Sequence, residues 1–146
     1  MEPFGEHDKF DVYVVTRRIN APVPEPEWIR MEGNLTEVLA TLRQVRAAGG
    51  NGLVVPTRYR DWRVSRDQAQ ALALQAFRSI RESTSDIFSD LSEPEDEGAC
   101  WIFSAENYTA QERGVIPGAR SIRVDKLDGH IWSQSEAAAF LRLSAT

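Results

Sequence analysis

The sequence predicts an α+β protein, a mainly antiparallel sheet of five or six strands packed by two or three helices. Three observations carry that prediction. Segments rich in β-branched and aromatic residues, FDVYVVTRRI at 10–19 and ACWIFSAENY at 99–108, read as strands. Two stretches, beginning at residues 35 and 66, repeat apolar residues at helical spacing behind capping residues. The second half reads as helix, hairpin, hairpin, helix, and hairpins are antiparallel by construction. The 146 residues, 42% hydrophobic and 27% charged, suit one globular domain: a β-α-β extension over 1–60 and a helix-hairpin-hairpin-helix module over 61–146.

In chain order, the strand at 10–19 runs into NAPVPEPEW, where Pro22, Pro24 and Pro26 forbid a helix and favour an extended connector laid over the surface. Asn34, three residues before Glu37, opens a helix whose apolar face is Leu35, Val38, Leu39, Leu42 and Val45. Gly49 and Gly50 stop it, and GLVVP is a short buried strand ended by Pro56. Ser65 with Gln68 caps a second helix, striped by Leu72, Ala73, Ala76, Phe77 and Ile80 and ending near Ser83. DIFSDL alternates apolar and polar residues and predicts a strand, with Ile87 and Phe88 at its heart, paired with ACWIFSAENY across the acidic loop SEPEDEG. SIRVDK and HIW make the last hairpin around Asp128-Gly129, residues that tolerate positive φ. Ser133 and Glu136 form a capping box ahead of AAAFLRL, the final helix. The expected core includes Trp101, Phe103, Leu72, Phe77, Val124 and Ile131.

The net charge of −5 conceals an asymmetry. Residues 1–81 hold 12 basic and 10 acidic side chains, whereas 82–146 hold 5 and 12. No Lys or Arg occurs from Glu82 through Glu112, an interval with nine carboxylates. Such a surface repels nucleic acid and anionic lipid and attracts a basic protein. One cysteine, Cys100, cannot form an internal disulfide and suits a reducing, cytoplasmic setting. The apolar runs VYVV and GLVV fall far short of the ~20 residues of a membrane span, and MEPFGEHDKF lacks the pattern of a secretion signal. No nucleic-acid partner, membrane association or cofactor is expected.

Candidates for chemistry are few. His130 lies next to a turn with Asp125 and Asp128 nearby, an arrangement able to support acid–base chemistry if a nucleophile stood beside it. His7 lies in a polar N-terminus. Cys100, flanked by Ala99 and Trp101, reads as a buried thiol. Two histidines and one cysteine at distant positions give no zinc spacing. Glu93, Glu95, Asp96 and Glu97 lack the ligand spacing and central Gly of a calcium loop. Gly114 and Gly118, in RGVIPGAR, bracket a proline turn rather than a phosphate cradle. Neither a catalytic set nor a metal site is therefore expected. RYRDWRVSR at 58–66 interleaves four arginines with Tyr59 and Trp62, the residue types of interface anchors or of a solvated connection.

Residues 66–143 resemble the YrhB-type family of small bacterial immunity proteins. The likeness rests on the aromatic strand Trp101-Ile102-Phe103, the Pro117-Gly118 turn, the hairpin Val124-Asp125-Lys126-Leu127-Asp128-Gly129 and the terminal helix from Glu136 to Leu143. Residues 1–60 have no counterpart in it. The resemblance implies a protein that binds and neutralises a toxin without catalysis of its own. The expected function is thus a protein-binding module that meets its partner through an acidic surface on Asp90, Glu93, Glu95, Asp96 and Glu97, which also takes in Asp86. Arg60, Trp62 and Arg63 form a second docking segment. The competing reading is an accessory subunit of a larger bacterial assembly, docked through its arginines and prolines. A small enzyme with His130 as base is the third. The sequence leaves the oligomeric state open.

Overall fold

The structure is a computed structural model that describes residues 4, 8–15, 27–84, 87–109 and 119–145. His7, Pro22, Pro24, Pro26, Asp86, Gly114 and the Pro117-Gly118 turn lie outside the described residues. The chain divides into two compact units, Met1–Asp61 with Ser133–Thr146, and Trp62–Trp132. The terminal helix falls with the first of these units.

The first unit is a three-stranded antiparallel sheet in the order β2-β1-β3, formed by β1 (Phe10–Val15), β2 (Glu27–Gly33) and β3 (Asn51–Pro56). Helix α1 (Leu35–Ala47) starts where Asn34 Oδ1 accepts the N–H of Glu37 at 3.0 Å. Its face Val38 and Leu42 closes over Phe10, Val12 and Val54, with Met31 and Leu143 packed alongside. A 3-10 turn, Thr57–Asp61, follows β3. Helix α3 (Gln134–Leu143) begins on a complete Ser133/Glu136 capping box. At its far end Ser144 Oγ accepts the N–H of Val54 at 2.8 Å, while its carbonyl accepts from Arg46 at 2.9 Å. That hydroxyl takes an edge donor of β3 that no strand takes.

The second unit is a three-stranded antiparallel sheet in the order β4-β5-β6, formed by β4 (Glu95–Asp96), β5 (Cys100–Glu106) and β6 (Ala119–Asp125). Helix α2 (Arg66–Thr84) covers one face of it. Its predicted cap is present in both directions, Gln68 N–H to Ser65 Oγ at 3.2 Å and Ser65 N–H to Gln68 Oε1 at 2.9 Å. Ala69, Ala73 and Phe77 pack on Phe103, Ala105, Ile122 and Val124, with Leu72 and Trp101 partly buried beside them.

Several expectations are corrected. Instead of one sheet of five or six strands there are two of three. Side chains on β3, and an irregular segment with its serine hydroxyls on β5, close the edges that extension would need. On β3, Gly52 donates to Asn51 Oδ1, Val54 donates to Ser144 Oγ, and Pro56 has no N–H. On β5, the N–H groups of Ser104 and Glu106 go to the hydroxyls of Ser92 and Ser89 at 3.0 and 2.8 Å. DIFSDL is no regular strand, yet it runs along β5 as expected: Phe88 bridges Asn107, and the main-chain N–H groups of Ser89 and Ser92 donate to the carbonyls of Glu106 and Ser104 at 2.9 and 2.8 Å. Phe88 is buried edge-on against Phe77, while Ile87 is 58% exposed. The strand pairing with β5 comes from the acidic loop itself, as β4. Strand β2 falls at the end of the supposed connector. Ile131 is 39% exposed; its neighbour Trp132 is buried, because its indole N–H reaches the buried Asp125.

Candidate partner-binding site

Lys126 organises the second unit. It follows β6 and is only 2% exposed, although lysine is among the residues least often buried. Its main chain is a junction: its N–H donates to Ala99, and its carbonyl accepts from both Arg63 (2.8 Å) and Val64 (2.9 Å). The segment leading into α2 is thereby pinned to the end of β6. Its ammonium is bonded to Asp96 Oδ1, which also accepts the N–H of Gly98 at 2.9 Å. The same ammonium lies 4.5 Å from the ring centre of Trp101 and 5.6 Å from that of Trp62. The two indoles meet edge to face at 6.1 Å and 88°. Burial lowers the Lys126 pKa from its ordinary value of 10.5, and Asp96 offsets part of that shift.

Asp96, Glu97 and Glu93, all expected to meet a partner, hold cations within the unit. Asp96 holds Lys126, Glu97 holds Arg123 at 2.8 Å, and Glu93 holds Arg66 at the surface. Glu97 also accepts from the thiol of Cys100 at 3.5 Å. Asp90 and Glu95 are exposed. Trp62 is 46% exposed, and Arg63 is exposed beside it. From Arg63 an open groove of about 510 Å³ runs over an apolar floor of Val64, Ala71, Leu72 and Leu127 to a rim at Asp128. The structure thus gathers Trp62, Arg63 and the base of the acidic loop around one lysine.

Arg60 is not part of this group. It lies in the first unit, where Nε and Nη2 both reach the carboxylate of Asp11 at 2.6 Å and Nη1 reaches Glu32 at 2.7 Å. Asp11 is fully buried and also accepts the N–H groups of Met31 and Glu32, filling a bulge in the β1–β2 pairing. Burial alone would raise its pKa. The hydrogen bonds from Arg60 and those two N–H groups outweigh burial and hold it below the usual 3.8.

The turn that raised the question of acid–base chemistry is wired for shape. Asp125 Oδ1 accepts from Leu127 (2.8 Å) and Asp128 (3.4 Å), and Oδ2 accepts from the Trp132 indole at 2.9 Å. His130 donates its main-chain N–H to Asp128 Oδ1 at 3.0 Å and sets its ring 2.5 Å from the same oxygen. Burial raises the Asp128 pKa, but these bonds to His130 win and leave it lowered. Asp125, Asp128 and His130 bring one donor each within 4.8 Å, close enough to share a cation. The hydrogen bonds already engaging Asp125 account for its position without one. Cys100 is a poor nucleophile, since burial first and the Glu97 charge second push its pKa well up. Only Gly129 has positive φ in this turn, and a Cβ there would sit 2.9 Å from Leu72 Cδ1.

Sequence reasoning missed Lys126. Its signal was faint: the single lysine of the second half, directly after an apolar strand, in a chain with tryptophans at 62 and 101. Among the described residues no helix is long and apolar enough to cross a membrane. In comparison with known proteins, the chain matches no family model, no curated protein and no solved structure.

Proposed function

We propose that this chain is a non-catalytic protein-binding module whose partner seats on the second unit, against the indole of Trp62 and the outer residues of the acidic loop. One observation carries the reading. Two segments, Trp62–Arg63 and the loop at 93–97, converge on Lys126, so an exposed aromatic stands beside carboxylates on a rigid, buried support. Aromatic and arginine side chains next to a groove are the usual energetic centres of interfaces. The surplus of carboxylates around them favours a basic partner and draws it in electrostatically. The residues that meet it are Trp62, Arg63 and Glu95, with Glu93 at the rim; Asp90, beside Ser104, Ala105 and Glu106 toward the other end of β5, is the outlying member of the acidic surface. Asp96 and Glu97 act from within by shaping the loop.

In its narrower form the reading is an immunity protein acting in the cytoplasm and occluding a basic toxin, as the resemblance of 66–143 implies. An assembly subunit docked through RYRDWR fits less well, because Arg60 is bound to Asp11 and Glu32. The test is co-purification with the tagged chain from its own cells at low salt, followed by elution at high salt. The expected result is one basic protein in stoichiometric amount, whose expression alone arrests growth and whose effect the chain relieves. A set of large assembly components, or no salt-eluted partner, contradicts the immunity reading.

A further inference from the structure

The first unit closes one edge of its sheet and, among the described residues, leaves the other open. Thr57 donates to the Lys9 carbonyl at 2.9 Å, which sets the alternation along β1 and β3. Gly52, Val54 and Pro56 therefore face away from β1. Their edge is shut by Asn51, by Ser144 and by the missing proline N–H, as described above. The same alternation turns Phe10, Val12 and Val14 toward β2 and makes Val12–Ile29 and Val14–Glu27 the hydrogen-bonded pairs. Met31 donating to Asp11 agrees with that phase. Trp28 and Arg30 then direct their N–H and C=O groups outward, and among the described residues nothing takes them. Between them Ile29 is 37% exposed.

We infer that this edge pairs with the same edge of a second copy, in antiparallel register about a two-fold axis at Ile29. The strand's own sequence, EWIRM at 27–31, selects that register. Centred on Ile29, each Trp28 lies opposite the partner's Arg30, an aromatic–cation pair, and the two Ile29 side chains meet at the axis. Moving the axis one residue toward Glu32 sets Arg30 against Arg30 and carries each strand into the bulge opposite Asp11. Moving it one residue the other way puts Arg30 opposite Pro26, which has no N–H to give. The bulge limits the paired stretch to a few residues, so the dimer is a weak one. This inference is independent of the partner-binding reading and uses different residues.

The test is sedimentation equilibrium of the full chain from about 1 µM to about 1 mM, a range that brackets weak association, with amide exchange of Trp28 and Arg30 at both ends. The expected result is a shift from 16.4 kDa to twice that mass, with both amides slowing as the dimer forms. Ile29→Lys, an exposed change, should hold the chain at the single-chain mass. Should that variant misfold, the wild-type amides decide alone. A single-chain mass at every concentration overturns the inference, as does a dimer in which the Trp28 and Arg30 amides exchange no more slowly than in dilute protein.

Discussion

The two units solve one problem with opposite signs. In the first, the buried ion is an anion: Asp11 is sealed in the sheet, and its cation Arg60 reaches in from the 3-10 turn. In the second, the buried ion is a cation: Lys126 is sealed at the end of β6, and its anion Asp96 reaches in from the acidic loop. Each ion also receives or accompanies main-chain hydrogen bonds that fix an irregular segment, the bulge opposite Asp11 and the Arg63–Val64 lead into α2. Among the described residues no buried side-chain nitrogen or oxygen is left without a partner. The difference lies in the surroundings. Asp11 is held by four donors in a bidentate, N–H-lined pocket, which favours its charge against the cost of burial. Lys126 has the carboxylate of Asp96 and the faces of Trp62 and Trp101 beside it, which only partly offset its burial.

The largest effect should come from breaking the better-satisfied ion. Asp11→Ala strands Arg60 and the N–H groups of Met31 and Glu32, and should cost about 3–5 kcal/mol in urea unfolding. Breaking the second network should depend on which side is removed. Asp96→Asn leaves the buried ammonium without its counter-charge and should cost about 2 kcal/mol, discounted because Asp96 is partly exposed. Lys126→Met removes the buried charge and keeps an apolar stem against the indoles, so it should cost under about 1 kcal/mol. Equal losses for the two substitutions would contradict the contrast. Gly129→Ala, in the turn that carries Lys126, should cost about 1–2 kcal/mol through its positive φ and the contact with Leu72.

The smallest and most discriminating effect is in the pH dependence. Asp11 has a folded pKa below its unfolded value, so its contribution is complete above pH 3.8 and fades as pH falls through the folded pKa. Lys126 has a folded pKa below 10.5, so the unfolded chain holds the proton more tightly and stability should rise with pH between the folded value and 10.5. Unfolding curves across pH should therefore lose slope on the acid side in Asp11→Asn and on the alkaline side in Lys126→Met. A slope unchanged in either variant would remove that ion from the account.

Much of the fold was legible because its signals are local. Asn34, Ser65 and Ser133 announce their helices within three residues, and the stripe of Ala73 and Phe77 names the face that α2 buries. What was illegible depends on distant groups. Strand β2 follows three prolines and carries Glu27, Arg30 and Glu32, so only its partner β1 and the buried Asp11 make it a strand. Trp132 is buried where Ile131 was expected to be, because Asp125, seven residues away, accepts the indole N–H. Within the site, Arg63, Asp90 and Glu95 were readable as surface types from their charge, whereas the sequence left open whether Trp62 is buried or exposed; it is 46% exposed. The inward turn of Asp96 and Glu97 was not, since it needs Lys126 and Arg123 from across the sheet. That inward turn changes how the site is best probed: reversing Asp96 or Glu97 would damage the unit before it informed on binding.

The most direct measurement is salt-dependent capture of the cellular partner by three forms of the chain: wild type, Asp90→Lys/Glu95→Lys, and Trp62→Ala. Asp90 and Glu95 are exposed, whereas Trp62→Ala also removes one aromatic face of Lys126, so the folding of each variant is checked by its urea unfolding midpoint before capture is compared. The account predicts that wild type holds a basic partner released by salt, that the double reversal abolishes capture, and that Trp62→Ala weakens it about tenfold or more, the loss of a central aromatic anchor. Capture at wild-type strength by both variants would contradict it and move the binding face away from Lys126.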